Sequence, residues 1–288
     1  MRFPTLSGAR LGMALMVAAT FVFGTQDALS RYLAESYSVL GVLLIRYWFF
    51  AGFVLLRAKR APGGLWSVVR SNRPILQSLR GVMLVLQVWM MVKAFTLLGL
   101  VETHAIFACY PLMVAALAGP VLRERVTLRQ WLAICAGALG VLLILRPGTG
   151  VFSPFSLFVL LAAANFAAYA LLTRIVGLHD KPETSFFYTG MAGAIAVTLL
   201  TPWIWTPIAW RDWGWMALLC FSGSFGHYLL IRAFAATEAS RLQPLAYLQL
   251  IFASAAGVIV FGEHLHPLTV LGATVVVGAG LFNLRAGR

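Results

Sequence analysis

The sequence predicts an all-α integral membrane protein that crosses the bilayer ten times. Hydrophobic residues make up 61% of its 288 residues and charged residues only 11%, whereas soluble domains contain about 25% charged residues. The apolar runs are about 20 residues long, which is the length that a helix needs to span the hydrocarbon core. Polar and apolar residues do not alternate within these runs, so the pattern indicates helices rather than strands of a membrane barrel.

The predicted spans follow one another with little chain between them. The longest interruption, 58–73, leaves no room for a soluble domain. The first run is longer than the apolar part of a signal peptide, so we interpret it as the first span. The spans are expected at 11–33, 38–57, 74–98, 101–121, 128–146, 153–176, 183–202, 212–236, 239–262 and 267–285.

The basic residues predict the orientation of the chain. The formal net charge is +13, and such an excess marks the cytoplasmic side of membrane proteins rather than a nucleic-acid surface. With the N-terminus inside, sixteen of the 22 Lys and Arg residues fall at cytoplasmic positions. Three fall within spans, and three lie on the far side: Arg31, Arg146 and Arg211. Both termini are therefore predicted to be cytoplasmic.

A pattern in the first half of the chain recurs 139 residues later. An Ala-Phe pair is followed by a glutamate, and the next apolar run ends at a second glutamate. The matched elements are Ala94-Phe95 with Ala233-Phe234, Glu102 with Glu238, and Glu124 with Glu263. Because each half has five spans, an odd number, the halves face opposite ways. The chain is predicted to consist of two inverted five-helix repeats, 1–147 and 148–288, which is typical of transporters.

These features, in this order, resemble the EamA-type transporters of the drug/metabolite transporter superfamily, and among them the bacterial exporters of amino acids, including aromatic ones. The resemblance covers nearly the whole chain, although RERV stands where a glycine often precedes the first glutamate. It implies a basket of helices 1–4 and 6–9 around a central cavity, with helices 5 and 10 behind. It also implies a monomer or homodimer in the bacterial inner membrane that exports small amphipathic metabolites, amino acids first among them, by alternating access.

Polar residues in the middle of a span are costly and usually functional. We therefore expect side chains of the basket helices to bind the substrate. Aromatic rings offer an apolar surface, and amides offer hydrogen bonds. The candidates are Gln87, Trp89, Tyr110, Asn165, Tyr169, His227, Tyr228, Gln243, Tyr247 and Gln249.

Arg46 lies deep in the second span and needs a partner. Three interpretations are open. Arg46 forms an ion pair with Asp27, which lies at a similar depth in the antiparallel first span; it binds a carboxylate of the substrate; or its long side chain reaches the membrane interface.

Four further residues are candidates for gating. Lys93 and Arg232 are related by the 139-residue offset and are expected near opposite faces, although reaching the interface explains both as well. Pro111 and Pro244 occupy the fourth helix of each half, where proline frees a backbone carbonyl and kinks the helix. Such a carbonyl is suited to bind an ammonium group, and a packing kink is the alternative.

The acidic residues bear on energy coupling. Of the nine carboxylates, only Asp27 is expected away from a membrane face, whereas coupled carriers usually keep an acidic group near the midplane. If Arg46 holds Asp27 ionised, Asp27 cannot cycle a proton. His227 could carry one, but it has no carboxylate partner in its own helix. The sequence therefore predicts facilitated transport that persists without a proton gradient.

No cofactor and no metal site are expected. The segment 263–266, Glu-His-Leu-His, falls in a loop without matching ligands, and the three cysteines lie in apolar runs. An integral-membrane enzyme would need a nucleophile–base pair or metal ligands at one depth, which we do not find. A channel or scaffold is disfavoured by the inverted repeat, and a multidrug exporter of the same superfamily is the remaining alternative.

Overall fold

The computed structural model describes residues 8–123, 127–145, 154–201 and 207–264, together with 267–268, 270–272, 274–275 and 278–279. Within these ranges the regular structure is helical, with no strand. The helices are α1 (Gly8–Ser36), α2 (Val39–Lys59), α3 (Gly64–Val69), α4 (Pro74–Phe107), α5 (Tyr110–Leu122), α6 (Leu128–Leu145), α7 (Pro154–Gly177), α8 (Pro182–Leu200), α9 (Trp213–Ala236), α10 (Ala239–Ala246) and α11 (Leu248–Phe261), with a 3₁₀ turn at Trp210–Asp212.

Six helical segments in the described part of the chain are long and apolar enough to cross a membrane. This confirms a multi-pass helical membrane protein, while the count of ten spans stays a prediction. The third and fourth predicted spans fall in one such segment, Pro74–Leu122. Glu124, Arg146, His266 and residues 280–285 of the tenth predicted span lie outside the described residues.

The break between the third and fourth predicted spans is a kink at Gly99. Its φ of 83° is left-handed, a conformation that glycine adopts without steric cost. The chain is interrupted again at Ala108-Cys109, before α5 begins. The kink at Gly99 therefore separates the third predicted span from the fourth within α4.

The core is formed between the two halves of the chain. The most extensive contacts between helices are those of α1 with α9 and α11, of α4 with α7 and α8, and of α2 with α8. The largest cluster of buried side chains includes Phe95 and Phe107 from α4 with Phe166 from α7 and Phe234 from α9. The interior is therefore a seam that both halves line.

Large apolar side chains cover the outside. Ile75 is 81% exposed and Leu199 is 75% exposed, as expected where lipid and not water surrounds the protein. Trp66 and Trp210, at 79% and 90%, are exposed near helix ends, where tryptophans commonly mark the membrane interface.

Candidate functional site

A small central cavity lies between helices of both halves. Helices α1 and α4 of the first half and α7, α9 and α11 of the second half contribute side chains to its wall. Its volume is about 50 Å³, room for one or two water molecules. The polar side chains on its wall are Gln26, Asp27, Ser30, Gln87, His227 and Gln249, and the aromatic ones are Phe23, Phe95, Phe107 and Phe166.

Asp27 is the carboxylate in this wall, and it is 8% exposed. Gln249 of α11 donates a hydrogen bond from Nε2 to Asp27 Oδ2 at 3.0 Å. His104 Nε2 of α4 lies 3.0 Å from the same oxygen, although its N–H is not aimed squarely at it. The carboxylate thus joins α1, α4 and α11, which come from both halves.

Arg46 is not the partner of Asp27. No ion pair joins the two side chains, both of which the structure describes. The guanidinium of Arg46 instead lies against Gly223 of α9, where a Cβ atom would approach Nε to 2.7 Å. The missing side chain at Gly223 makes room for Arg46 between α2 and α9.

Four polar side chains of the cavity wall have a buried atom without a hydrogen-bond partner among the described residues. These atoms are Gln26 Oε1, Ser30 Oγ, Gln87 Nε2 and His227 Nδ1. A buried polar atom left unsatisfied costs about 1–3 kcal/mol. All four atoms belong to side chains of one cavity wall, and they include both acceptors and donors.

Asn165 orients Gln87 rather than lining the cavity. Its Nδ2 donates to Met83 O at 3.0 Å and to Gln87 Oε1 at 3.3 Å. The carbonyl end of Gln87 is therefore occupied, whereas its NH₂ group has no partner among the described residues. Aromatic contacts fix the two histidines: the rings of Phe23 and His227 are 4.9 Å apart, and those of Phe95 and His104 are 5.3 Å apart.

The other candidates from the sequence lie around the cavity. Tyr110, Pro111 and Tyr247 line a pocket of about 10 Å³ that shares Phe107 and Gln249 with the cavity. The remaining candidates occur elsewhere in the fold.

Trp89 packs edge-on against Phe158, and Tyr169 accepts a hydrogen bond from Arg80. Gln243 is buried in α10, where it donates to Ala239 O.

The four gating candidates have ordinary surroundings. Lys93 is exposed on α4. Arg232 donates to Tyr228 Oη at 3.0 Å and lies 3.9 Å from Glu183. Pro111 stands in the first turn of α5, where a missing N–H costs nothing. Pro244 lies inside α10, which ends two residues later.

Sequence reasoning missed most of the first helix's contribution. Phe23, Gln26, Asp27 and Ser30 are spaced i, i+3, i+4 and i+7, so they form one face of α1. This spacing was the signal that could have found them. The phenylalanines of α4 and α7 carried no such signal, since phenylalanine is common throughout the spans.

Glu263 closes one face of the seam. At the end of α11 its carboxylate accepts the backbone N–H groups of Leu100 and Val101, each at 2.9 Å, and pairs with Arg31. A Cβ atom at Gly99 or Gly257 would lie 2.6 or 2.7 Å from its oxygens. Two glycines therefore make room for this carboxylate, which we call the Glu263 latch.

Asp180 makes a similar connection beside the start of α4. It accepts hydrogen bonds from Ser71 Oγ at 2.5 Å, the Asn72 N–H at 2.8 Å and Gln77 Nε2 at 2.9 Å. Burial alone would raise the pKa of Asp180, but these hydrogen bonds together hold it below the ordinary value. The loop between α7 and α8 is thereby tied to the first half.

Arg80 extends this connection into the protein. It is fully buried, and its guanidinium donates to Ser185 O at 2.5 Å, Thr189 Oγ1 at 2.8 Å and Tyr169 Oη at 3.2 Å. No carboxylate pairs with it among the described residues. Neutral oxygens of α7 and α8 accept hydrogen bonds from both terminal nitrogens of this α4 cation, while its Nε has no partner among the described residues. This is an inter-half structural contact.

Comparison with known proteins gives relatives over nearly the full length. The S-adenosylmethionine uptake transporter of Rickettsia prowazekii is 25% identical, over 94% of this chain and 91% of the relative. The riboflavin transporter of Vibrio cholerae is 24% identical, over 92% and 90%. The pseudopaline exporter of Pseudomonas aeruginosa is 24% identical, over 93% and 94%. These relatives are named for different small molecules, and both uptake and export occur among them.

A structural comparison and a family model lead to the same class of protein as these relatives. One solved crystal structure of a protein superposes with a TM-score of 0.71 at 18% identity, over 97% of this chain and 96% of that one. This likeness shows a shared fold. The model of the EamA-like transporter family matches the chain at residues 10–146 and again at 154–285. The chain therefore belongs to the EamA-like transporter family and is a membrane transporter of a small molecule rather than an enzyme.

Proposed function

We propose that the chain moves a small amphipathic metabolite with a positively charged group and a planar ring across the bacterial inner membrane by alternating access. The central cavity carries this proposal. Its wall combines a buried carboxylate at Asp27, four phenylalanine rings and unsatisfied hydrogen-bonding atoms. A carboxylate in a low-dielectric site favours a cation, and the rings favour an apolar plane.

Amino acids, aromatic ones among them, have these features, as the sequence resemblance predicts. S-adenosylmethionine, for which the Rickettsia relative is named, also combines a cationic group, an amino acid and a planar ring. We place both in the proposed substrate class. Export is the direction that the resemblance predicts, and transport in oriented vesicles tests it.

Alternating access is supported by how the halves pack. In the proposed repeats, 1–147 and 148–288, α1 and α7 are the first helices, and α4 and α9 each contain the third span. The two extensive contacts α1–α9 and α4–α7 therefore pair the first helix of one repeat with the third of the other. The family model also matches once in each repeat. An inverted repeat allows the halves to exchange conformations.

The substrate cannot fit the cavity as it stands, because about 50 Å³ holds only water. The Glu263 latch and the Asp180 hydrogen bonds each join the halves. We propose that they lie at opposite faces, the Glu263 latch outside and Asp180 inside, and that one opens while the other holds.

The proposed orientation has a direct test. Trp66 and Trp210 are highly exposed and should face the cytoplasm and the outside, respectively. In intact cells, a thiol reagent that cannot cross the membrane should label a Trp210→Cys variant and miss a Trp66→Cys variant. The reverse labelling would contradict the orientation.

Substrate counterflow in proteoliposomes tests the proposed function. Labelled tryptophan and S-adenosylmethionine carry a positive group, and riboflavin serves as an uncharged planar compound. We expect saturable counterflow with at least one of the first two, reduced by Asp27→Asn and unchanged by Glu102→Gln, since Glu102 is exposed. Preference for riboflavin, or equal transport by the Asp27→Asn variant, would contradict the proposed substrate class.

A further inference from the structure

Two further openings of the described structure lie away from the central cavity. An apolar groove of about 380 Å³ and a second groove of about 560 Å³ meet at one end of the protein. Both are lined by Phe53, Arg57, Phe186 and Tyr228, so they form one continuous surface. We call it the α2–α9 groove, and the function proposed above does not use it.

One part of the α2–α9 groove, lined by Phe49, Phe221 and Phe225, is apolar. Phe49 of α2 meets Phe221 of α9 edge to face, with ring centroids 4.9 Å apart. Phe221 is 59% exposed and Phe225 is 54% exposed. The wall follows α9 from Leu218 to Tyr228, which at 1.5 Å per residue is about 15 Å of helix. That length is about half of a 30 Å hydrocarbon core.

The other part of the groove, beside the end of α2, is basic. Arg57 stands close to the end of α2, with its guanidinium 5.1 Å from the centre of the Tyr228 ring, and Arg60 lines the same end. Glu183 is the one carboxylate in this wall, and it lies 3.9 Å from Arg232. Among the described residues no carboxylate pairs with Arg57 or Arg60. The groove wall therefore has two arginines and one carboxylate, an excess of positive charge at a helix end.

These two parts define the chemistry of an occupant. A soluble anion would leave the apolar part empty, and a neutral lipid would leave the arginines without a counter-charge. Basic pockets between membrane helices are known to hold anionic headgroups. We propose that an anionic phospholipid occupies the α2–α9 groove, with its phosphate beside Arg57 and Arg60 and an acyl chain along Phe221 and Phe225.

A lipid in this position touches both halves of the protein. Its headgroup contacts α2, which belongs to the first half, and its chain contacts α9, which belongs to the second. Such a ligand stabilises the contact between the halves at this end, because it binds the packed state and not the separated one. The site therefore couples the composition of the membrane to the stability of this conformation.

Native mass spectrometry of the full chain tests the site without knowledge of the substrate. The purified protein is offered phosphatidylglycerol or phosphatidylcholine, and the bound lipid and the thermal midpoint are measured. We expect selective retention of phosphatidylglycerol and a higher midpoint. Each basic residue near an anionic headgroup should contribute about fivefold in affinity, so Arg57→Gln with Arg60→Gln should remove the selectivity.

Two controls make the result specific. Arg241→Gln removes an exposed arginine outside the groove and should leave the selectivity intact, as should Arg57→Lys with Arg60→Lys, which keeps the charge. Equal retention of the two lipids, equal loss in the Arg241→Gln variant, or the same stabilisation by inorganic phosphate alone would overturn the proposal.

Discussion

The Arg80 contact and the central cavity are both buried and polar, but they differ in how many of their polar atoms have hydrogen-bond partners. The guanidinium of Arg80 donates to oxygens of α7 and α8. Around the cavity, Gln26, Gln87 and His227 each keep a buried atom without a partner among the described residues. The hydrogen bonds of the terminal nitrogens of Arg80 stabilise the packed seam, and among the described residues only its Nε lacks a partner. The cavity wall instead gathers several unsatisfied side chains around one space, as a ligand site does.

The largest expected effect comes from breaking the Arg80 contact. Arg80→Met removes several hydrogen bonds to a charged donor, each of which contributes about 1.5–3 kcal/mol. The free energy of unfolding should fall by more than about 3 kcal/mol, seen as a lower thermal midpoint in detergent. Arg129→Met, at the exposed start of α6, is the control and should change little. Equal midpoints for both variants would remove the distinction between the two regions.

Substitutions in the cavity wall should lower transport rather than stability. Asp27→Asn removes the charge that Gln249 and His104 approach, and truncating a buried charged contact costs about 2–5 kcal/mol of binding. Transport should fall roughly thirtyfold or more. Gln26→Leu removes an unsatisfied acceptor, so stability should stay equal or rise while transport falls. A Gln26→Leu variant that unfolds would show that Gln26 is structural.

The Glu263 latch offers a smaller test at the other end of the seam. Gly99→Ala forces a side chain into a left-handed position and 2.6 Å from the Glu263 carboxylate. Backbone strain of this kind costs about 1–3 kcal/mol. The thermal midpoint should fall by a few degrees, whereas Gly52→Ala, at a glycine with open space around it, should be neutral or stabilising. A neutral Gly99→Ala variant would contradict the close fit of the latch.

The smallest expected effect is on how stability depends on pH. The pKa of Asp180 lies below its ordinary value in the folded protein, so its hydrogen bonds stabilise the fold above that value. This stability is lost as the pH falls through the folded pKa. The difference in thermal midpoint between the wild-type chain and Asp180→Asn should therefore shrink as the pH is lowered from neutral to below 3.8. A difference independent of pH would contradict the ionised contact.

Sequence patterns anticipated the membrane fold because hydropathy and helix length are local properties. They also pointed to Gln87, His227 and Gln249, since polar residues in apolar helices stand out. They could not give the partner of Asp27, which depends on how α1, α4 and α11 lie against one another. The expectation of facilitated transport rested on the scarcity of acidic groups near the midplane and on a pair of Asp27 with Arg46. The structure places His104 beside Asp27 instead, so the second reason does not hold, and facilitated transport stays a prediction.

The inter-half contacts were equally out of reach. Gly99, in its left-handed conformation, leaves space for the carboxylate of Glu263, which is far away in the sequence. Arg80 was noted only as a basic residue within a span, because its acceptors come from two helices of the other half. A single sequence without known pairing between helices carries no signal for such contacts.

The most direct measurement of the central claim is the accessibility of the cavity from each side. Ser30→Cys would be introduced after Cys109, Cys135 and Cys220 are replaced by alanine, since Ser30 is buried in the cavity wall. Alternating access predicts that an impermeant thiol reagent labels this position in right-side-out and in inside-out vesicles, and that a transported substrate slows both reactions. Labelling from one side only, unaffected by substrate, would contradict a cavity that opens in turn to each side.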